Sequence, residues 1–431
     1  MPSKKYLWVV FPLFLALAVC AAQTPAPKRT VLRAAHLLDV ESGRTLDNQA
    51  VVIEGDKIVS ISDAANVSTK DANVIDLGGA TLLPGLIDVH THLTFDPVFG
   101  LEALAISVPR QALIGAKNAR LTLEAGFTTV RNVGAEGYSD VALRDSIEAG
   151  ELPGPHMLIS GPALGRTGGH CDYNELPIEF HRYSDAVADG PDEILKKVRQ
   201  NVKYGATVIK FCATGGVLSK GDDPNASEYT REEMVALVTD AHRLGRKVAA
   251  HAHGAQGIVW ASEAGVDSIE HGSYIDQAGI DAMKKNGTYL VPQIALSHWI
   301  IENGQKRGIP EYSLAKERQI LPVIEANISR AFKAGVKVAY GTDAGVYPHG
   351  MNAYEFPAYV AAGLAPIDAI RTATTNAAAL LGWNDRAGSI TPGKWADVIA
   401  VDGDPTQNIG LLQHVRFVMK SGKVYKNEYA K

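Results

Sequence analysis

A chain of 431 residues, 46% apolar and 21% charged, with a formal net charge of −5, is a globular protein too long for one ordinary core. A large barrel with an accessory domain, or two to three domains, are the arrangements this allows. Acids and bases are interspersed without a long run of either sign, which excludes the electrostatic footprint of a nucleic-acid binder and offers nothing to a polyanionic partner.

The first residues differ from the rest. Lys4 and Lys5 precede an apolar run over residues 6–19, then Cys20, Ala21 and Ala22, then a Pro-rich stretch at 24–27. A basic start, a short apolar segment and small residues at its end have the form of a signal peptide over residues 1–22, cleaved near Ala22. A retained anchor is disfavoured because the run is shorter than the roughly 20 residues that span a bilayer. Residues 17–20 also resemble a lipoprotein cleavage site with lipidation at Cys20, but Val19 is larger than the residue usual before such a Cys, and this reading ranks second. The protein is therefore expected to be exported, periplasmic or secreted, and to meet a membrane only through the leader or a lipid. With the leader gone, Cys171 and Cys212 remain. Two cysteines make no disulfide framework, and whether they pair stays open.

From residue 28 to 84 the chain reads as short β runs at 31–34, 50–53, 57–61 and 73–77, with a hairpin signal at 54–57. The C-terminal segment 389–431 repeats the pattern, with strands at 396–401 and 415–419 and a tight turn at 420–423. Neither end has room for a full core, so the two are expected to pack as one discontinuous β-sandwich domain, 28–84 plus 389–431. Between them, residues 85–388 alternate strand and helix. Strands end near His92, Val133, Ala163, Lys210, His253, His271, Ile294 and Asp343; helices fall at 110–125, 140–149, 191–204, 230–244, 255–264, 276–285 and 314–334. Ala-Gly pairs at 125–126, 264–265 and 334–335 look like helix stops. This alternation predicts an α/β protein with a (β/α)8 TIM barrel. A doubly wound open sheet is the competitor, but no Gly-rich dinucleotide fingerprint favours it.

In such barrels chemistry sits at the C-terminal strand ends, where several candidate metal ligands fall. In the apolar run 85–93, His90 and His92 project from the same face. Alone, the pair reads equally as metal ligands or as hydrogen-bonded strand-end histidines. His251 and His253 form a second alternating pair, of which one can bind metal while the other orients it or touches substrate; His271 ends another strand. Lys210 is flanked by apolar residues, where a lysine must find a partner or lose its charge. Asp343 follows an apolar run amid small residues; the alternative for it is a helix N-cap. His170, on the Gly-rich loop 165–172, could reach over the site and donate to a carbonyl oxygen, or simply be a loop histidine. Loop 217–229 has the length and polarity of a lid or of a solvated loop, and His298 and Trp299 line a pocket or pack.

Taken together, Pro84-Gly85-Leu86-Ile87-Asp88-Val89-His90-Thr91-His92, Lys210, His251, His271, Gly341-Thr342-Asp343 and the closing Gly393-Lys394-Trp395-Ala396-Asp397 resemble the amidohydrolase superfamily of metal-dependent hydrolases. The branch is that of imidazolonepropionase-like proteins, Xaa-Pro and related dipeptidases, and ochratoxin-hydrolysing amidohydrolases. The resemblance implies two divalent metal ions, zinc suiting the donors best with manganese or cobalt as alternatives. His90 and His92 would bind one, His251 and His271 the other, and a carboxylated Lys210 would bridge them. Asp343 would bind the first metal and act as acid and base. The implied activity is hydrolysis of an amide or peptide C–N bond, releasing a C-terminal amino acid from a dipeptide or N-acyl amino acid, an ochratoxin-type amide included. Homo-oligomerisation is expected by family resemblance. A lactone, ester or cyclic-amide hydrolase is the runner-up, and a non-catalytic binding or assembly protein the rival from another class.

Overall fold

Strands β1 (Arg29–Asp39), β2 (Arg44–Glu54), β3 (Lys57–Asp63), β4 (Asn73–Asp76) and β5 (Ala80–Pro84) open the chain. Gly55 and Asp56 form the two-residue turn between β2 and β3, with Gly55 at φ 62°, as the sequence predicts. The computed structural model describes residues 29–430; the expected leader at 1–22 and Cys20 lie outside the described residues. No helix among the described residues is long and apolar enough to cross a membrane.

The barrel strands follow: β6 (Leu86–Thr91), β7 (Phe127–Asn132), β8 (His156–Ile159), β9 (Val208–Cys212), β10 (Lys247–Ala252), β11 (Ser268–His271) and β12 (Tyr289–Val291). They run parallel, in the orders β6-β7-β8 and β9-β10-β11-β12. Most of their residues are buried, as strands covered on both faces must be. Two backbone seams join the arcs. Thr207 N donates to Ile159 O at 2.8 Å and Cys212 N to Leu164 O at 2.9 Å. On the other side, the extended segment 337–344 takes the eighth place: Leu290 N donates to Lys337 O (2.8 Å), Val89 N to Tyr340 O (2.8 Å) and Asp343 N to His90 O (2.7 Å). The eight-fold ring thus closes through a segment too irregular to be a regular strand.

Helices Val108–Glu124, Ser139–Glu148, Gly190–Lys203, Arg231–Arg243, Ala255–Ala264 and Gln277–Asn286 alternate with these strands; the first packs against β7, the second against β8, Arg231–Arg243 against β10 and Ala255–Ala264 against β10 and β11. Gly265, in the left-handed conformation at φ 95°, stops its helix before β11. After β12 the structure departs from expectation. The strand expected to end near Ile294 stops at Val291, and an unexpected helix, Ile294–Asn303, follows it ahead of Glu311–Lys333. Pro292 has no N–H to continue the ladder, and the buried Glu355 carboxylate accepts hydrogen bonds from the backbone N–H of Ile294, Ala295 and Leu296 (3.0, 3.0 and 3.1 Å), capping the new helix.

β13 (Val398–Asp402), β14 (Phe417–Lys420) and β15 (Lys423–Asn427) then return to the first sheet. β13 lies antiparallel to β5, pairing Val398 with Pro84 and Asp402 with Ala80. The resulting eight-stranded sheet runs β15-β14-β13-β5-β1-β2-β3, with β4 beside the N-terminal part of β1. Leu32, Val51 and Ile53 from one end share a core with Val398, Phe417 and Met419 from the other, so the small domain needs both ends of the chain. Gly85 N donates to Asp397 O (2.9 Å) and Lys420 Nζ to Gly154 O (2.7 Å), fixing this domain to the barrel.

Candidate active site

The C-terminal mouth of the barrel gathers His90, His92, Lys210, His251, His253, His271 and Asp343 around one cavity of about 670 Å³. His90 is the penultimate residue of β6, His92 follows that strand, Lys210 lies within β9, His251 within β10 and His271 ends β11. His271 and Asp343 have φ of 70° and 59°, a conformation that costs non-glycine residues energy and is concentrated at functional sites. His90 and His271 ring centroids are 5.2 Å apart, His251 and His271 4.6 Å, and His253 stacks on His271 at 4.7 Å.

Hydrogen bonds decide which nitrogen each ring presents. His90 Nδ1 is 2.8 Å from Glu270 Oε2, His92 Nδ1 is 3.3 Å from Gly134 O, and His251 Nε2 is 3.3 Å from Gly215 O. Each acceptor fixes the proton on that nitrogen and leaves the other bare, which is how metal-binding imidazoles are held. The bare Nε2 atoms of His90 and His92 lie 3.5 and 3.2 Å from Asp343 Oδ1. That oxygen is buried without a hydrogen-bond donor, and Lys210 Nζ is buried without an acceptor. Lone pairs thus face one another, an arrangement that calls for a cation between them. The separations match the ~3.4 Å edge of a tetrahedron whose ligands lie ~2.1 Å from its centre, so these residues fit a divalent metal.

Burial pushes Lys210 down to about 8 and His90 to about 4. His251 and His271 are held well below the usual histidine range by burial and by the neighbouring imidazoles. Burial opposes ionisation of Asp343, and positive charge set against it, at His90, His92 and Lys210, is what lowers its carboxyl below the ordinary value.

A second layer supports the first. Glu270 accepts from Ser268 Oγ (2.5 Å) and from Arg131 Nη2 (2.8 Å), and Arg131 also donates through Nε to Val89 O (2.6 Å). Although burial raises it, Glu270 is held at about 2 by the Arg131 guanidinium and the His90 ring. Arg131 and Glu270 went unrecognised in the sequence, although a charge inside an apolar strand, the signal that singled out Lys210, marks both.

His170 stacks on His251 at 4.2 Å, and Gly216 makes this fit: a Cβ there would lie 2.2 Å from the His170 ring. His170 Nδ1 is 2.7 Å from Ser219 Oγ, whose proton goes to Asp222 Oδ2 at 2.6 Å. Ser219 therefore accepts from Nδ1–H, and the neutral ring presents a lone pair at Nε2; donation to a carbonyl oxygen needs the imidazolium form. Burial opposes that form, lowering His170 to about 4. Lys316 Nζ anchors the loop through Asp222 Oδ1 (2.5 Å), Gly216 O (2.8 Å) and Ser219 O (2.8 Å), so the 219–222 part of loop 217–229, for which the sequence leaves a lid and a solvated loop as equal readings, is pinned. Cys171 and Cys212 are joined in a disulfide, Cα–Cα 6.0 Å, tying the His170 loop to the strand that carries Lys210. His253 Nδ1 lies 2.8 Å from Ser273 Oγ. His298 and Trp299 lie outside this cavity, on a separate groove where His298 pairs with Glu325 at 2.7 Å.

A closed parallel barrel whose C-terminal mouth sets bare imidazole nitrogens against a carboxylate is the framework of a hydrolase whose residues can hold a metal. Residues 81–426 match the model of the amidohydrolase family, and the chain belongs to that family, a hydrolase of amide-type C–N bonds. It is 33% identical to ochratoxinase of Aspergillus niger over 94% of this chain and 88% of that protein. The crystal structure of A. niger ochratoxinase superposes with a TM-score of 0.82 at 31% identity, covering 93% of this chain and 96% of that one. A Xaa-Pro dipeptidase crystallised with methionine in its active site is 38% identical, with a TM-score of 0.88 and coverage of 93% and 100%. A prolidase complexed with N-methylphosphonate-L-proline is 31% identical, with a TM-score of 0.85 and the same coverage.

Proposed function

We propose that the protein is an exported binuclear metal-dependent amidohydrolase that releases a C-terminal amino acid from a dipeptide or N-acyl amino acid. The observation that carries this reading is Asp343 Oδ1, buried without a donor and facing two bare imidazole nitrogens. His90, His92 and Asp343 would hold one cation and His251 and His271 the other. Lys210, carboxylated at Nζ, would bridge them: with its pKa lowered to about 8 by burial, the neutral amine adds to carbon dioxide, forms an N–C bond and releases one proton. Zinc suits these nitrogen and oxygen donors, and a pair of such cations lowers the pKa of water and polarises the scissile carbonyl.

Asp343 accepts the proton of the attacking water and returns it to the departing nitrogen, since an amine leaves poorly unprotonated. His253, held through Nδ1 by Ser273, and His170, held through Nδ1 by Ser219, line the cavity and contact the substrate. The names of the dipeptidase, prolidase and ochratoxinase relatives support amide substrates ending in a free amino acid. The disulfide supports export, because such bonds persist in oxidising compartments.

The test uses mature protein stripped by a chelator and reloaded with zinc, manganese or cobalt, assayed on dipeptides, N-acyl amino acids and lactones. Amide hydrolysis is expected to return with about two equivalents of metal and to fall by ~10²–10⁴ in Asp343→Asn. Undiminished turnover by the stripped protein or by that variant overturns the proposal, and turnover of lactones alone shifts it to that class.

A further inference from the structure

The cavity that holds the histidines extends to a wall where helix Ile294–Asn303 meets helix Glu311–Lys333. Leu218, Leu296, Ile300 and Ile324 give that wall an apolar surface, broken by Ser297 and Glu317. Glu317 is 2% exposed, and its Oε1 is buried with no hydrogen-bond partner. Among the described residues no basic side chain forms an ion pair with it, because its neighbours are engaged elsewhere. Lys316 binds Asp222 at 2.5 Å, Arg318 binds Glu311 at 2.6 Å, and His298 binds Glu325 at 2.7 Å. Burial pushes Glu317 up to about 7, with a hydrogen bond from Ser297 and the charge of His298 opposing.

A carboxyl placed in an apolar wall without a cation is costly unless something supplies the charge. The cavity is where a substrate would supply it. An apolar wall bearing one carboxylate suits a group with a methylene stem and a cationic tip, because the stem gains burial while the head finds its counter-ion. We infer that this wall is a subsite for an alkylammonium group of the substrate, with Glu317 receiving the charged end. The inference rests on the amide-hydrolase reading and deepens it by naming a substrate class. Glu317 is a specificity-determining residue and lies outside the reacting groups. The ammonium comes either from a lysine-like side chain or from the α-amine of a dipeptide.

Two substrate pairs separate these sources in metal-loaded enzyme. N-acetyl-lysine against N-acetyl-norleucine isolates the side chain, and alanyl-norleucine against propionyl-norleucine isolates the α-amine. In the wild type, kcat/KM is expected to favour the charged member of one pair by about tenfold or more, and in Glu317→Gln that ratio is expected to collapse to about one. A ratio does not depend on the fraction of variant that folds. Calorimetric titration with n-butylammonium against 1-butanol reads the same site without turnover, so failure of hydrolysis would count against the hydrolase reading and leave this site testable. Selective n-butylammonium binding lost in Glu317→Gln supports the subsite. Equal binding of the two probes, no preference in either pair, or equal loss on both members in the variant overturns it.

Discussion

The ion pair between Arg131 and Glu270 offers a quantitative test of how the site is held. Both side chains are buried, 2.8 Å apart, and belong to β7 and β11 on opposite arcs of the barrel. Replacing Arg131 with Met leaves the Glu270 carboxylate buried without its cation, which costs ~3–5 kcal/mol. Unfolding entropy of ~2.1 cal/mol/K per residue over ~400 residues gives ~0.9 kcal/mol/K, so Tm should fall by ~3–6 °C. Glu270→Gln should cost a similar amount by stranding Arg131. The double variant removes both charges, and its cost should fall short of the sum by ~2 kcal/mol or more. Acidity gives a second reading. Glu270 is depressed to about 2, below its unfolded value of ~4.3, so its contribution is complete above that unfolded value and lost as pH falls through about 2. Arg131→Met should therefore raise the pH of acid unfolding. Thermal and acid denaturation of the four proteins checks both, and strictly additive Tm losses would refute the coupling.

The other predictions concern the surrounding frame. Cys171→Ser opens a loop of sequence separation 41 and should cost ~4 kcal/mol on the chain-entropy account; urea midpoints that agree with and without the disulfide would contradict it. Asp222→Asn weakens the hold on His170 through Ser219 and should lower kcat/KM by about tenfold, or ~1.4 kcal/mol. In a His170→Ala background the same change should do little, and a full effect there would show that Asp222 acts elsewhere. Glu355, raised by burial to about 8, has a folded pKa above its unfolded value of ~4.3. Its stabilising contribution is therefore present below that unfolded value and lost as pH rises through about 8. Glu355→Gln cannot ionise and should lose less stability than the wild type between about pH 5 and 8; urea titrations showing equal losses would reject this.

Much of the site was legible because burying a polar side chain is expensive, so a His, Lys or Asp in an apolar strand stands out at once. His90, Lys210, His251, His271 and Asp343 each carry that signal locally. Arg131 and Glu270 carry it too, but their meaning lies in a partner 139 residues away, which no local pattern displays. The same reason explains helix Ile294–Asn303. Its run is apolar enough to pass for a strand, and the cap that makes it a helix comes from Glu355, 59 to 61 residues downstream. The pairing of Cys171 with Cys212 and the pinning of Ser219 and Asp222 by Lys316 likewise depend on folding that brings distant loops together.

The seam between β5 and β13 joins residues about 80 and 400, and this shapes how the protein is made. Until the last part of the chain emerges from the ribosome, β5 has an unpaired edge able to recruit strands of other molecules. The small domain closes only after the barrel sequence has been synthesised, when loop closure across the whole chain becomes available. Loss of the final strands would therefore leave a sticky β template beside an otherwise complete catalytic mouth, and aggregation would remove such a product before any defect in chemistry became visible.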